Sequence, residues 1–327
     1  MANLSNRIAE LSPEKRELLH RLLSKEQGAE ATLAQAQPDS PAISPAISQD
    51  MIEAIRSNEY ASYTFASSAE KKTLTRQLYN LVSSQLNASP FVEHAFFLNL
   101  GYCPDHNPSF AQVNLSEYAL NKNCRRLVLE VIGDCDIKAT DTTLDVGCGR
   151  GGTISVLHQY FRPQRMVGID LSSTAVAFCN RYHANPNTFF LEGDAEHLPF
   201  ANDAFDIVTN LESSHNYPTI DMFYQEVHRV LRQGGFFLYT DLFPCDNLSV
   251  YLDTLQTLGF VIEHDRDITS NVLRSCDEIG QTHFNAFDQH NDSDFMGNFL
   301  GVPGSTLYEN MKAGKTTYRI YKLRKLS

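Results

Sequence analysis

An α/β fold with a largely parallel sheet, covered by helices on both faces, is predicted by three observations. From residue 141 onward, short apolar strand-like runs alternate with segments of helical periodicity. A glycine-rich turn, LDVGCGRGG at 144–152, joins the first such run to the first such helix. The first three runs each carry an aspartate at or just past their carboxyl end: Asp145, Asp170 and Asp194. Strands separated by helices require crossover connections, which are right-handed and place helices on the sheet faces.

The segments follow in order. Residues 1–28 carry a short amphipathic helix in which Ser12 caps, Pro13 opens, and Leu18, Leu19, Leu22 and Leu23 share a face. Residues 29–50 are a linker by composition, rich in Ala, Pro, Ser and Gln, with the tandem PAIS-PAIS at 41–48. Residues 51–135 read as a helical cap: EYASYTFASSAEKKTLTRQLYNLVSSQL and NLSEYALNKNCRRLVLEVIGD are periodic, with aromatic, loop-like FVEHAFFLNLGYCPDHNPSF between them. Residues 136–327 form the α/β core, with a lid insertion at about 270–312. Within that core TTLDVG, MVGIDLS, FFLEGD, AFDIVTNL, GFFLYTDLF, FVIEHDRDI and TTYRIYKLR are strands. GTISVLHQYF, STAVAFCNRYH, PTIDMFYQEVHRVLR and SVYLDTLQTLGF are helices, the third ending at Gly234-Gly235.

Composition narrows the partners. The 327 residues hold 27 Lys+Arg against 39 Asp+Glu, a net charge of −12, which argues against a nucleic-acid partner. No apolar stretch approaches the ~20 residues of a membrane span, and the polar N-terminus does not read as a signal peptide. The seven cysteines are scattered, with no C-x-x-C pair, so a reducing, cytoplasmic setting is expected and neither a disulfide framework nor a zinc site is indicated. Asp265 and Asp267 are read as a solvated strand end and no metal is expected; His94, His197, His264, His283 and His290 lack ligand-like spacing.

The glycine turn alone could serve NAD, FAD or S-adenosylmethionine, or be a bare turn. The acids narrow it. Asp170 can accept from both ribose hydroxyls, Asp194 can meet an adenine amino group, and Asp145 can meet an ammonium or a water near the methionine end. A dinucleotide enzyme needs the second site but not the third.

LDVGCGRGG, VGIDLS, EGDAEHLPF and RVLRQGGFFLYTDL, in that order, resemble the class I S-adenosylmethionine-dependent methyltransferases. The resemblance implies a Rossmann-like seven-stranded sheet of order 3-2-1-4-5-7-6 with strand 7 antiparallel and a helical cap or lid. It carries S-adenosylmethionine contacts onto Gly147, Gly149, Gly151, Asp170, Leu171, Asp194, the backbone of Ala195, and Leu211. Tyr102, in NLGYC, resembles an aromatic that closes over the cofactor in relatives; core packing is the other reading.

Methyl transfer to oxygen benefits from a base, and histidine has the pKa for it near neutrality. His215 in NLESSHNYP follows the fourth strand, and Asp241 in YTDLF ends the fifth, so a His215 base oriented by Asp241 is expected. This resembles the His–Asp dyad of sugar and natural-product O-methyltransferases. Glu212 either lines the same pocket or bonds nearby backbone, and Tyr217 is placed on the substrate side.

ESSHNYP, TDLF and NFLGVPGSTLYENMKAGKTTYRIYKL further resemble the O-methyltransferases of phthiotriol-type polyketides and, more closely, the freestanding enzymes of cyanobacterial polyketide–peptide (microcystin and nodularin type) clusters. That implies a hydroxyl acceptor on a polyketide or polyketide–peptide, free or carrier-bound. Residues 1–28 also resemble segments that begin modules of such synthases, which implies docking to a synthase partner as a helix in a groove. Methyl transfer to carbon or nitrogen, and a non-catalytic scaffold of the same fold, are the rival readings.

Overall fold

The computed structural model describes residues 67–326 except 90–91, 106–107, 109, 112, 114, 117–118, 134 and 288–300. The expected N-terminal helix (1–28), the linker (29–50), the cap as far as residue 66 and the middle of the lid insertion lie outside the described residues.

Seven strands form one sheet: β1 (Thr142–Val146), β2 (Arg165–Asp170), β3 (Thr188–Glu192), β4 (Phe205–Leu211), β5 (Leu231–Pro244), β6 (Phe260–Asp267) and β7 (Thr316–Lys325). Their order is β3-β2-β1-β4-β5-β7-β6. The first five pair in parallel, and β7 runs antiparallel between β5 and β6. This is the order and direction that the family resemblance implies.

The helices are α1 (Ser68–Asn87), α2 (Lys122–Ile132), α3 (Gly152–Val156, continued by a π turn at Leu157–Phe161), α4 (Ser173–Tyr182), α5 (Ile220–Val230), α6 (Leu248–Thr257), α7 (Thr269–Phe287) and α8 (Thr306–Lys312). Several begin at a serine whose side chain accepts an otherwise unpaired N–H of the first turn: Ser67 takes that of Glu70, Ser172 that of Ala175, and Ser305 that of Tyr308.

The sheet alternates its side chains between two cores. On one face Leu127 of α2, Ile154 of α3, Phe178 of α4, Val272 of α7 and Met311 of α8 join Met166, Ile207 and Leu238. On the other, Phe223 and Val227 of α5 and Leu255 of α6 join Val208 and Phe237. Burying each such side chain contributes about 1.5–3 kcal/mol, so each helix is held by the face it turns inward.

Two expectations are corrected. The helix expected to run to Gly234 stops at Val230, and β5 begins at once with Leu231. Leu231 pairs with Phe205, is fully buried, and its carbonyl accepts from Lys325 Nζ at 2.7 Å. The boundary at residue 135 also fails, because α2 is no cap: Leu127, Val128, Leu129, Val131 and Ile132 are buried in the sheet's own core. The hydrophobic stripe was read correctly, but periodicity does not say which surface a stripe meets.

Candidate active site

The carboxyl ends of the parallel strands open onto a cavity of about 450 Å³, where ligands gather in sheets of this kind. One wall is α1, which presents Lys71, Lys72, Thr75, Leu78 and Tyr79 at three- and four-residue spacing. The loop from Phe96 to Leu100 supplies an apolar wall, together with Leu242 and Leu307.

The glycine turn after β1 sits at the base of the cavity. Gly147 has φ +69°, and a Cβ there would collide with Ser213 Oγ and lie 2.7 Å from Tyr217 Oη, so both conformation and contact demand glycine. Gly149, at φ +50°, has an open approach from the cavity: its Cβ would meet only Leu98 Cδ1, at 3.6 Å. Its N–H donates to Asp170 Oδ2 at 2.8 Å, and the Ser172 N–H donates to Oδ1 at 2.8 Å. The strand-end carboxylate thereby ties the turn to β2. Burial raises the pKa of Asp170 against these backbone donors. Gly147→Ala is expected to destabilise the fold by about 2 kcal/mol or more and to weaken cofactor binding at least tenfold, readable by thermal unfolding and calorimetry.

Arg150 anchors the turn from behind. It is 1% exposed, and its guanidinium donates to Ala95 O (2.5 Å), Ser83 Oγ (2.7 Å) and Asn87 Oδ1 (2.9 Å) while lying 3.5 Å from the centre of the Phe178 ring. Burial without a carboxylate partner lowers its pKa to about 10. It joins α1 and the 95 loop to the cofactor turn.

Asp194 and Ala195 line the cavity beyond β3. Asp194 Oδ2 takes an ion pair from Lys72 at 2.6 Å, and the same ammonium reaches Glu196 at 2.5 Å. Burial works to raise the pKa of Asp194, but Lys72 and the Glu196 N–H outweigh it and hold the carboxylate below its usual range. Asp145 lies behind the cavity wall, with Oδ1 accepting from Thr209 Oγ1 at 2.7 Å. Thr153 stands beside the same buried carboxyl, and desolvation raises the pKa of Asp145 to about 7 against these two hydroxyls. The open face of Gly149, with Asp170 and Asp194 on the wall, fits a ligand with a ribose and an amino-bearing base.

Next along the cavity stand His215 and Asp241. His215 follows β4 on a single 3-10 turn (Ser214–Asn216), and Asp241 is on β5, with no exposed surface. His215 Nδ1 and Asp241 Oδ1 are 2.7 Å apart. Asp241 also accepts from Ser214 Oγ (2.5 Å), the His215 N–H (3.1 Å) and the Leu242 N–H (2.8 Å). A carboxylate only accepts, so Nδ1 carries the proton, and in the neutral ring Nε2 keeps its lone pair. Burial opposes charge on both groups, yet their mutual attraction wins: the pKa of His215 is raised and that of Asp241 lowered. The imidazole side chain retains 36% exposure and lines the cavity.

Glu212 both lines the cavity and bonds backbone, so the two readings of it hold together. It accepts from the Leu100 N–H at 2.8 Å and from the Tyr318 hydroxyl. Its φ of +49° is unusual for a residue with a side chain, and burial raises its pKa to about 7. Tyr217 lines the cavity while bonding Ser213 Oγ (2.7 Å) and Asn210 Nδ2 (3.1 Å).

Of the expected cofactor residues, Gly147, Gly149, Asp170, Leu171, Asp194, Ala195 and Leu211 reach the cavity. Three do not. Tyr102 is buried in the core beside Glu130 and Arg266, with Asn123 O accepting its N–H; burial raises its pKa. Leu98 to Leu100 take the wall instead. Gly151 starts α3 and packs under His183, whose Cδ2 would be 2.7 Å from its Cβ. Asp145 sits one layer below. Sequence reasoning missed the α1 wall, Arg150, Ser214 and Asn216. The helical spacing of 71, 75, 78 and 79 was legible, but not the surface it faces.

Among the described residues no group of three or more His, Cys, Asp or Glu could hold a metal ion, and no helix is long and apolar enough to cross a membrane.

A family model described as a methyltransferase domain matches residues 144–239. The phthiotriol/phenolphthiotriol dimycocerosates methyltransferase of Mycobacterium tuberculosis is 36% identical over 181 residues, covering 54% of this chain and 67% of that protein. The fatty-acid O-methyltransferase of Mycolicibacterium smegmatis is 35% identical over 229 residues, covering 69% of this chain and 81% of that protein. Among solved structures, geranyl diphosphate C-methyltransferase of Streptomyces coelicolor aligns with a TM-score of 0.58 at 17% identity, covering 80% of this chain and all (100%) of that one. That likeness is one of fold alone, so it does not choose between carbon and oxygen as the acceptor atom.

Proposed function

The chain belongs to the S-adenosylmethionine-dependent methyltransferases, and from that premise we propose that it methylates a hydroxyl oxygen on a long, apolar polyketide or polyketide–peptide, with His215 as general base and Asp241 as its orienter. The observation that carries this is the dyad: an Nδ1–H tautomer held by a buried carboxylate, in an imidazole that lines the cavity.

Bound S-adenosylmethionine supplies a methyl group on a positively charged sulfur. Gly147, Gly149, Asp170, Leu171, Asp194, Ala195 and Leu211 would hold it. His215 Nε2 accepts the proton that an acceptor hydroxyl must lose to become a competent nucleophile. The Asp241 carboxylate stabilises the imidazolium so formed, and its Ser214 and Leu242 donors keep it in place. The apolar wall of Phe96, Phe97, Leu98, Leu242 and Leu307 suits an alkyl chain. Residues 1–28 serve, in this reading, to dock a synthase partner; their support is the sequence.

One relative is named for fatty acids. A carboxylate is already ionised at neutral pH and gains little from a base, whereas a hydroxyl gains much. The dyad therefore favours the hydroxyl. The test offers the enzyme S-adenosylmethionine with a long-chain hydroxylated polyketide, the matching fatty acid and a long-chain amine, and locates the new methyl by NMR. A methyl ether is expected; turnover of the acid or the amine alone overturns the assignment.

A further inference from the structure

The second ring nitrogen of His215 is already engaged by a neighbour that also lines the cavity. Asn216 Nδ2 lies 2.9 Å from His215 Nε2, and the same amide nitrogen lies 2.9 Å from Tyr79 Oη on α1. An amide NH₂ carries two donors, so one hydrogen serves each partner. The chain of contacts runs from the buried Asp241 carboxylate through Nδ1–H, across the ring to Nε2, to the Asn216 amide and out to Tyr79. Every donor in it meets an acceptor, which selects one tautomer and one ring orientation. The far end lies on the helix that forms a wall of the cavity. That helix is bound near its start through Lys72 to Asp194 and near its end through Ser83 and Asn87 to Arg150.

We propose that Asn216, held by Tyr79, is a positioning residue for the base: it keeps the His215 ring turned with its Nε2 lone pair toward the cavity, occupies the place of the acceptor hydroxyl, and ties the readiness of the base to the seating of α1. This rests on reading His215 as the base. When the acceptor arrives, its O–H replaces the Asn216 N–H as donor to Nε2, and the amide keeps its second bond to Tyr79. No proton is transferred in this exchange; one donor leaves as another enters.

The electrostatics agree. The groups facing His215 are Asp241 on β5, Glu212 after β4 and Lys71 on α1. Asp241 and Glu212 favour the imidazolium and Lys71 disfavours it. A neutral donor at Nε2 bonds only the unprotonated ring, so Asn216 works with Lys71 to keep the base free of a proton.

The test reads His215 directly by ¹⁵N NMR titration of the histidine-labelled full chain, assigned by comparison with His215→Ala. In Asn216→Ala and Tyr79→Phe the titration midpoint of His215 should move up by about half a pH unit, and the acid limb of kcat/KM should move with it. In Asn216→Asp, which sets a carboxylate beside Nε2, the midpoint should move up further and activity near neutrality should fall more. KM for the acceptor should change in these variants while affinity for S-adenosylmethionine holds. An unchanged midpoint and Nδ1–H signature in both Asn216→Ala and Tyr79→Phe would overturn the proposal. Failure of the base reading shows up separately, as undiminished turnover in His215→Ala.

Discussion

His215→Ala is expected to lower turnover about a hundredfold or more, with affinity for S-adenosylmethionine unchanged. The imidazole lines the cavity and bonds Asp241 and Asn216, neither of which is among the residues that would hold the cofactor. Its loss removes proton acceptance and leaves those residues in place. Calorimetry with the cofactor and single-turnover assays with the hydroxylated acceptor separate the two effects. Retention of full turnover would end the base assignment. The wild-type pH profile carries the same information. The base works only unprotonated, and Asp241 raises the His215 pKa despite burial. Activity should therefore fall on the acid side, with a limb above the ordinary histidine value of ~6.5.

Asp241→Asn should cost about 10²- to 10⁴-fold in turnover for a different reason. An asparagine amide facing Nδ1 can donate to it, which places the imidazole proton on Nε2 and leaves that nitrogen unable to accept. The acid limb should move down, because the carboxylate that raised the His215 pKa is gone. Asp241→Ala adds a folding defect. The buried carboxylate accepts from Ser214 Oγ, Leu242 N–H and both His215 donors; all four lose this acceptor, Ser214 Oγ keeping only the Tyr239 hydroxyl. The loss should be about 3–5 kcal/mol, readable in urea unfolding. The sign with pH follows from the lowered Asp241 pKa. Its contribution is present above the unfolded carboxylate value of ~3.9 and disappears as pH falls through the lower folded one. An Asp241→Asn protein with wild-type turnover and an unmoved acid limb would refute the orienting role.

The placement of Tyr102 and of α2 shows where reading the chain failed. Tyr102, expected at the cofactor from the resemblance of NLGYC, lies in the core with its N–H on Asn123 O, and Leu98 to Leu100 line the cavity. In α2 the hydrophobic stripe was plain, yet a stripe states only that a face is buried. Its partner proved to be the sheet. Glu212 was ambiguous for a related reason. Its contacts, the Leu100 N–H and the Tyr318 hydroxyl, come from segments more than a hundred residues away.

What was readable from the chain was local or periodic: the alternation of strands and helices, the glycine turn, the acids at strand ends, and a histidine and an aspartate at the ends of adjacent strands. Parallel strands about 4.8 Å apart bring such ends together automatically, so order in the chain already implied the cavity and the dyad. What was not readable depended on which distant surface each side chain meets. The pairing of Lys72 with Asp194 and of Arg150 with Ser83 joins residues far apart in sequence, and so does the bond from Asn216 to Tyr79. Such contacts arise where α1 docks across the strand ends. That docking is set by side-chain packing and hydrogen-bond geometry in three dimensions, and neither leaves a period in the sequence.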